Sequence, residues 1–135
     1  MDAADMRRRL VSARVGHLGT AGPRPHVVPV CYVLVADTAF TAVDHKPKRS
    51  ARLRRIANVE ATGWACLLVD EYHDDWTRLW WVRIDGPARM VDDAGEAARA
   101  IDALAAKYPQ YAQRRPSGPV LALEAERWSG WQASG

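Results

Sequence analysis

The chain has 135 residues, of which 48% are hydrophobic and 26% charged, and its formal net charge is +3. This length and composition are those of one soluble globular domain, which we expect to span residues 1–135. No apolar run approaches the roughly 20 residues that cross a bilayer. The first residues also lack the apolar core, about 7–15 residues long, of a signal peptide. The sequence therefore predicts a cytoplasmic protein with no membrane partner.

The N-terminal part predicts a helix, a first strand over residues 14–20 and then a long strand. Residues 2–13 carry apolar side chains at helical spacing, and Asp2 can cap the helix. A turn rich in glycine and proline, residues 21–25, precedes residues 26–35, which are almost wholly apolar and β-branched. We expect one strand there, buried on both faces. Pro29 requires an edge or a bulge in it, because proline cannot donate to a strand ladder.

The middle of the chain predicts a hairpin, a helix and another strand. A turn at residues 37–38 leads into a returning strand over residues 39–44. A helix is expected over residues 50–58, with Ser50 as its N-cap and an asparagine at its end. Residues 62–71 form the next apolar run and predict a strand.

The C-terminal part predicts two long strands around a helix. The first covers residues 77–91, and Gly86 with the following proline predicts a sharp corner in it. The helix covers residues 94–107 behind an Asp93 cap, and the last strand covers residues 119–131. The fold class expected is therefore mainly β with flanking helices: a six-stranded antiparallel barrel, since hairpins join most strands.

A basic cluster lies where a strand is expected to end and a helix to begin. Six of the ten residues 46–55 are lysine or arginine. Free N–H groups and a partial positive charge at a helix start attract anions. Lys46, Lys48 and Arg49 at this point, with Arg52 one turn later, therefore predict a phosphate site. A solvated basic helix face is the alternative interpretation.

Other chemistries find little support in the sequence. There is no Gly-x-Gly-x-x-Gly, P-loop, Gly-x-Ser-x-Gly or His-Glu-x-x-His motif, which disfavours the enzyme classes that these motifs define. Cys31 and Cys66 lie in apolar runs and predict buried thiols, not a zinc site. The acidic residues 70–75 form a polar turn better than a metal site.

The sequence is rich in tryptophan, with six residues. Trp80 and Trp81 must point to opposite faces of one strand, so that one joins the core and the other is free for a partner or a ring. Core filling explains each tryptophan singly. Together with a phosphate site, they suit a planar aromatic cofactor.

Three stretches resemble a known family of oxidoreductases. Residues 44–58 resemble the phosphate-binding element of flavin and deazaflavin oxidoreductases that have a split β-barrel like that of pyridoxamine-phosphate oxidase. Residues 69–86 resemble the signature of coenzyme F-420-dependent enzymes of actinobacteria within that family. Residues 127–131 are similar to the ending of the same subgroup, so the resemblance covers nearly the whole chain.

The resemblance implies a split β-barrel that forms a homodimer with two cofactor sites at the subunit interface. The basic cluster would hold the cofactor phosphate, the end of the 26–35 strand would lie against the tricyclic ring, and the returning strand would flank it. Two tryptophans would come from the other subunit. The implied cofactor-binding residues are Lys46, Pro47, Lys48, Arg49, Arg52, Pro29, Val30, Cys31, Thr41, Val43, Trp76 and Trp128.

The implied function is hydride transfer between the deazaflavin coenzyme F-420 and a small organic substrate, with FMN as the second candidate cofactor. In such enzymes the cofactor supplies the chemistry, which explains why no catalytic dyad is found. Two rival functions remain. One is a flavin, deazaflavin or haem carrier without turnover. The other is nucleic-acid binding through residues 46–55, which the small net charge and the acidic residues 70–75 disfavour.

Overall fold

A computed structural model describes residues 1–43 and 49–134 of the chain, with the backbone alone at residues 49–53. No helix in this part is long and apolar enough to cross a membrane. One 3₁₀ turn in this part of the chain spans Trp76–Arg78. The elements in chain order are α1 (Ala3–Ser12), β1 (Gly16–Thr20), β2 (His26–Val30), β3 (Val33–Val35), β4 (Thr38–Ala42), α2 (Arg49–Thr62), β5 (Trp64–Glu71), β6 (Trp80–Met90), α3 (Ala94–Lys107), α4 (Pro109–Gln113), β7 (Val120–Glu124) and β8 (Arg127–Gln132).

The strands form one antiparallel sheet that curves into a half-barrel. Its strand order is β2-β1-β5-β6-β7-β4-β3, and β8 pairs with β6 off this path. Every pairing in the described part of the chain is antiparallel. The predicted fold class, mainly β with flanking helices in a split antiparallel barrel, is confirmed. Over the described residues the sheet has eight strands, whereas the sequence predicts six.

One additional strand arises because residues 26–35 are not a single strand. The run breaks at residues 31–32. Before the break, β2 pairs with β1; after it, β3 pairs with β4. The prediction of burial on both faces is also wrong, since exposed and partly buried residues alternate along β2. Pro29 lies on the end strand of the sheet, so the edge position predicted for it is confirmed.

The other additional strand comes from residues 119–131, which divide into β7 and β8. Both pair with β6: β8 as far as Asp85, and β7 from Ala88 onward. Gly86 lies at this change of partner, and a Cβ there would overlap the backbone oxygen of Glu124. The corner predicted at Gly86 therefore marks a close crossing of two backbones that only glycine admits. The predicted start of this strand at residue 77 is wrong, because the 3₁₀ turn precedes β6.

Helix α2 is longer than predicted. It begins at Arg49, so Ser50 lies inside the helix and is not its N-cap. Asn58 does not end the helix: it is buried, and its Nδ2 donates to Thr20 Oγ1 at 3.1 Å. The helix ends at Thr62, and the following Gly63, with a φ of 66°, has the left-handed conformation that glycine adopts after helix ends.

The other helix caps agree with the sequence. Asp2 accepts a hydrogen bond from the backbone N of Asp5 at 2.8 Å, and Asp93 accepts one from the backbone N of Glu96 at the same distance. The hairpin turn falls one residue earlier than predicted, because Ala36, with a φ of 52°, takes the turn position.

Two hydrophobic clusters hold the fold together. The barrel core fills the inside of the half-barrel, and the helix-covered core lies between α3 and the strands β4 and β7. Along β7, Leu121 and Leu123 belong to the barrel core, while Val120 and Ala122 belong to the helix-covered core. This part of the sheet is therefore buried on both sides.

The other part of the sheet is buried on one side only. Alternate residues of β5 and β6, such as Leu67 and Ile84, enter the barrel core. The side chains between them point outward and belong to neither core cluster. We call this outward surface of β1, β5, β6 and β8 the open face; its residues are His17, Gly19, Cys66, Leu68, Asp70, Trp81, Arg83, Asp85 and Trp131.

Candidate functional site

The break between β2 and β3 lies beside the end of β4, and this brings two of the predicted ring-binding residues together. Thr41 Oγ1 donates a hydrogen bond to the backbone oxygen of Cys31 at 2.7 Å. Just beyond it, the backbone N of Val43 donates to Pro119 O at 2.8 Å, which ties the end of β4 to the start of the β7 region. The predicted residues of the two segments therefore meet at Cys31 and Thr41, and we call this junction the wall at the β2–β3 break.

Their side chains face different ways along that wall. Pro29 is exposed on the outer side of β2. Val30 enters the barrel core, so only its backbone can face a ligand outside the barrel. Thr41 and Val43 are also buried, with 7% and 4% of their surface exposed. Cys31 is half-buried, so the prediction of a buried thiol is wrong for it, and the same holds for Cys66.

The predicted phosphate-binding residues are only partly within the described chain. Lys46, Pro47 and Lys48 lie outside the described residues. Arg49 is the first residue of α2, and Arg52 lies in its first turn. The backbone N–H groups of a first helical turn have no partner within the helix and can bind an anion.

A cluster around Lys107, at the end of α3, contacts the strand break from the side of the helix-covered core. Lys107 Nζ donates to the backbone oxygen of Tyr32 at 2.9 Å and lies 3.9 Å from the centre of the Tyr32 ring. Burial lowers the pKa of Lys107 to about 8, and the nearby Arg14 adds to this effect.

Tyr108 fixes the backbone at the same place. Its hydroxyl accepts from Tyr32 N at 3.1 Å and lies 3.1 Å from Tyr32 O and 3.0 Å from Arg14 O, to which it can donate. Burial raises the pKa of Tyr108 and of Tyr32, so both phenols stay protonated near neutral pH. Sequence reasoning missed this cluster, because about 75 residues separate Tyr32 from Lys107 and Tyr108 and no local motif links them.

The tryptophans divide between the core and the surface. Trp80 packs against the barrel core under the Arg9 guanidinium, 4.8 Å from the ring centre, and Trp81 lies on the open face. The predicted opposition of Trp80 and Trp81, with one of them in the core, is confirmed. Trp128 is half-buried against the barrel core with Arg7 over its ring at 5.2 Å.

Trp76 stands apart from the other tryptophans. It lies in the 3₁₀ turn between β5 and β6 with 69% of its surface exposed, and Tyr72 is equally exposed. Its Nε1 donates to the Tyr72 hydroxyl at 3.4 Å. The connection is internally ordered, since His73 Nδ1 accepts from Asp75 N at 3.0 Å and His73 Nε2 lies 2.9 Å from Arg78 Nη1. We call residues 72–79 the aromatic arm.

The open face carries an apolar cleft and several charges. The cleft, of about 410 Å³, is lined by Leu68, Tyr72, Leu79, Trp81 and Trp131, with Arg83 beside them. Arg83 Nε donates to Asp85 Oδ2 at 2.9 Å, and His17 Nε2 lies 3.7 Å from Asp70 Oδ1. Burial raises the pKa of the Cys66 thiol on this face, with Asp85 as a second cause, so it is not a reactive thiolate.

The described residues contain no group of three or more histidine, cysteine or carboxylate side chains that could hold a metal ion. The acidic turn predicted at residues 70–75 instead satisfies its own backbone: Asp75 accepts from Thr77 N at 3.1 Å and from Thr77 Oγ1 at 2.7 Å.

Together, the half-barrel, its flanking helices and the wall at the β2–β3 break define a protein of the split β-barrel class. The sequence profile of the pyridoxamine 5'-phosphate oxidase family matches residues 3–132. The chain belongs to this family. No curated protein matches the chain significantly.

Solved structures have the same fold at low sequence identity. A conserved hypothetical protein from Mycobacterium tuberculosis is 20% identical with a TM-score of 0.78, over 98% of this chain and 85% of that one. An FAD-binding protein from Mesorhizobium loti is 20% identical with a TM-score of 0.76, over 99% and 96%. The haem storage protein HutZ from Vibrio cholerae is 15% identical with a TM-score of 0.72, over 96% and 93%.

Proposed function

We propose that the chain is an oxidoreductase that binds the deazaflavin coenzyme F-420 and transfers a hydride between it and a small organic substrate. FMN is the second candidate cofactor. The observation that carries this proposal is the wall at the β2–β3 break. There Thr41, on the strand that precedes α2 in the chain, holds the backbone of Cys31. Membership in the pyridoxamine 5'-phosphate oxidase family and the likeness to an FAD-binding protein support the same class of ligand.

The residues present fit a phosphorylated ring compound in two respects. The exposed Pro29 offers apolar surface without a backbone donor, which suits an aromatic ring placed against an edge strand. The start of α2 offers N–H groups that have no partner within the helix, together with Arg49 and Arg52 in its first turn. We propose that these two features bind the two ends of one ligand.

We assign the roles as follows. Lys46, Lys48 and Arg49 bind the phosphate, Pro47 shapes the segment between them, and Arg52 assists. Pro29, Cys31 and the backbone of Val30 contact the ring, which Thr41 and Val43 flank. When bound, the cofactor supplies the hydride chemistry. The protein positions the ring, excludes water from it and leaves room for the substrate.

We further propose that the active form is a homodimer with its cofactor sites at the interface. The open face supports this, because its leucine and tryptophans form a cleft that belongs to neither core cluster. The aromatic arm supports it as well, since Trp76 and Tyr72 are exposed on an ordered connection. A second copy would cover the apolar cleft and the arm, with Trp76 and Trp128 reaching the partner's cofactor.

The preference for F-420 over FMN comes from the arginine-rich start of α2, which suits a longer anionic tail than a single phosphate. Titration of the apoprotein with F-420, FMN and FAD, followed by absorption spectra, tests this preference. We expect F-420 to bind most tightly. Tight FMN binding without F-420 binding would contradict the choice of cofactor but not the site.

The phosphate site is tested by charge reversal. We expect Lys48→Glu/Arg49→Glu to weaken binding of every ring cofactor at least 100-fold, since it replaces attraction to a phosphate with repulsion. Arg99→Glu/Arg114→Glu makes the same change of net charge on and after α3 and serves as the matched control. Unchanged binding in the first variant would refute the phosphate site.

A carrier function without turnover is the second candidate, and the likeness to the haem storage protein HutZ favours it. Steady-state oxidation of reduced F-420 with enones and quinones as acceptors separates the two functions. Turnover supports the oxidoreductase. Stoichiometric binding of flavin or haem without oxidation of reduced F-420 by any acceptor supports the carrier.

A further inference from the structure

Two adjoining cavities lie where the turn before β2 meets α2 and β5. The first, of about 400 Å³, is lined by Pro23, Arg24, Pro25, His26 and Arg54. The second, of about 330 Å³, shares Pro25 and His26 with the first and continues past Val27, Trp64, Cys66 and Asp85. We call the combined cavity the turn groove. Its size falls within the range of small-molecule sites, roughly 300–1,000 Å³.

One end of the turn groove is basic. Arg24 and Arg54 are exposed there, and no described carboxylate lies within 4.0 Å of either guanidinium. Arg83 and Arg89, in contrast, each pair with a carboxylate elsewhere in the structure. Two guanidinium groups in one cavity, neither of them paired with a described carboxylate, favour a phosphate, because their planar N–H pairs match its oxygens.

His26 lines both cavities and has a buried polar atom that is unsatisfied among the described residues. Nδ1 of His26 is buried and has no hydrogen-bond partner among the described residues. Buried polar atoms nearly always have a partner, and a turn of the imidazole would bring this nitrogen to a polar atom of a ligand that fills the groove.

The other end is aromatic. Trp64 comes directly after Gly63 and has 47% of its surface exposed, and Val27, which lines the same cavity, has 66% exposed. An exposed indole next to an aliphatic side chain is a stacking surface for a planar base. Asp85 lies at this end, held by Arg83, where its carboxylate can accept a hydrogen bond from an exocyclic amine.

We infer that the turn groove binds a nucleoside phosphate, with the phosphate between Arg24 and Arg54 and the base against Trp64. The charges set this direction, because Asp85 at the aromatic end repels a phosphate. The nucleotide can be free, or it can be the adenylate half of a dinucleotide flavin. None of the residues named for the turn groove is among those proposed above for the ring cofactor.

Calorimetric titration of the full-length chain with AMP tests the inference. We expect AMP to bind, adenosine to bind at least tenfold more weakly, and triglutamate not to displace AMP. Arg24→Gln/Arg54→Gln should weaken AMP binding about 100-fold, since it removes two charged hydrogen-bonding groups. Arg99→Gln/Arg114→Gln, which removes the same charge outside the groove, should leave AMP binding unchanged.

The aromatic end is tested by substitutions at Trp64. Trp64→Ala should weaken AMP binding about 10-fold through lost stacking, and Trp64→Phe should restore most of it. Inorganic phosphate binding should be the same in both variants. Absence of AMP binding, equal binding by the arginine variant, or displacement of AMP by triglutamate as strong as that by ADP would overturn the inference.

Two further titrations identify the source of the nucleotide. If AMP binds equally well to protein saturated with FMN, and FAD binds no more tightly than FMN, the groove takes a free nucleotide. If FAD binds more tightly than FMN and loses that advantage in Arg24→Gln/Arg54→Gln, the groove takes the adenylate half of FAD. AMP binding that survives Lys48→Glu/Arg49→Glu supports the groove even where the proposed ring site fails.

Discussion

The two parts of the sheet are covered in different ways. Around β4 and β7, inner side chains enter the barrel core and outer ones pack under α3, so that both faces are buried within one chain. Around β5, β6 and β8, only the inner side chains are buried, and the open face carries Leu68, Trp81 and Trp131 outside both cores. A sheet with one apolar face uncovered has a surface suited to another molecule.

The helix-covered side of the sheet therefore serves stability, and the open face serves binding. The helix-covered side contributes to folding in every condition, since its contacts are complete within the chain. The open face contributes only when something binds to it. Substitutions on the two sides should therefore differ in whether their effects depend on protein concentration or ligand.

The largest effect is expected from Leu104→Ala on the covered side. Leu104 is fully buried between α3 and the sheet. Its truncation should lower the free energy of unfolding by about 2–5 kcal/mol, because it removes buried methyl groups and leaves a cavity. Urea denaturation measures the loss, which should be the same at every protein concentration.

Leu68→Ala provides the matched comparison, since it deletes the same atoms from the open face. We expect a loss below about 1 kcal/mol in dilute protein and a larger one as concentration rises and a dimer forms. Equal losses for Leu68→Ala and Leu104→Ala in dilute protein would show that the two faces are alike, and would remove the basis of the comparison.

Trp131→Asp should break the proposed dimer. Trp131 lines the apolar cleft with Trp81 and has 47% of its surface exposed. A carboxylate in an interface that excludes water should weaken association by about 2 kcal/mol or more, or roughly 30-fold. Sedimentation equilibrium measures this change. Val35→Asp is the control, since Val35 on β3 has a similar exposure of 45%. It should leave the molecular mass measured by sedimentation unchanged.

Most of the fold could be predicted from local patterns. Asp2 and Asp93 cap their helices as the sequence indicates, and Pro29 lies on an edge strand. The errors in strand number have one cause: a continuous apolar run can change partners without a change in composition. Residues 26–35 and 119–131 both pass from one part of the sheet to another in this way.

The site was less accessible to sequence reasoning. The basic cluster is recognisable in the local sequence, because six cationic residues occur within ten positions. The turn groove does not, since it joins Arg24 to Arg54 and His26 to Trp64 across different elements. Only the folded chain brings such pairs together.

Tyr108→Phe tests the point at the β2–β3 break where the chain passes from one part of the sheet to the other. The hydroxyl accepts from Tyr32 N at 3.1 Å, and the substitution leaves this buried donor without its partner. We expect a loss of about 1–3 kcal/mol in the free energy of unfolding. Tyr72→Phe, which removes an exposed hydroxyl, should change it by less than about 0.5 kcal/mol. An unchanged free energy of unfolding in Tyr108→Phe would mean that a water molecule replaces the phenol as the acceptor for Tyr32 N.

Lys107 gives the smallest effect and a distinctive pH dependence. Burial lowers its pKa in the folded protein to about 8, from 10.5 in the unfolded chain. Between these values the unfolded chain holds more protons, so the stability of the wild type should rise with pH. Since the side chain is only half-buried and water screens it, we expect a gain of about 1 kcal/mol.

The groups that face this ammonium are Arg14, Cys31, Tyr32 and Tyr108, and they remain in a Lys107→Met variant. The difference in unfolding free energy between wild type and Lys107→Met, measured by urea denaturation from pH 7 to pH 10.5, therefore isolates the lysine. Wild type should gain relative to the variant above pH 8. A constant difference would mean that the folded protein leaves the ammonium as well solvated as the unfolded chain does. The Tyr32 carbonyl would then serve as an ordinary hydrogen-bond acceptor at the strand break.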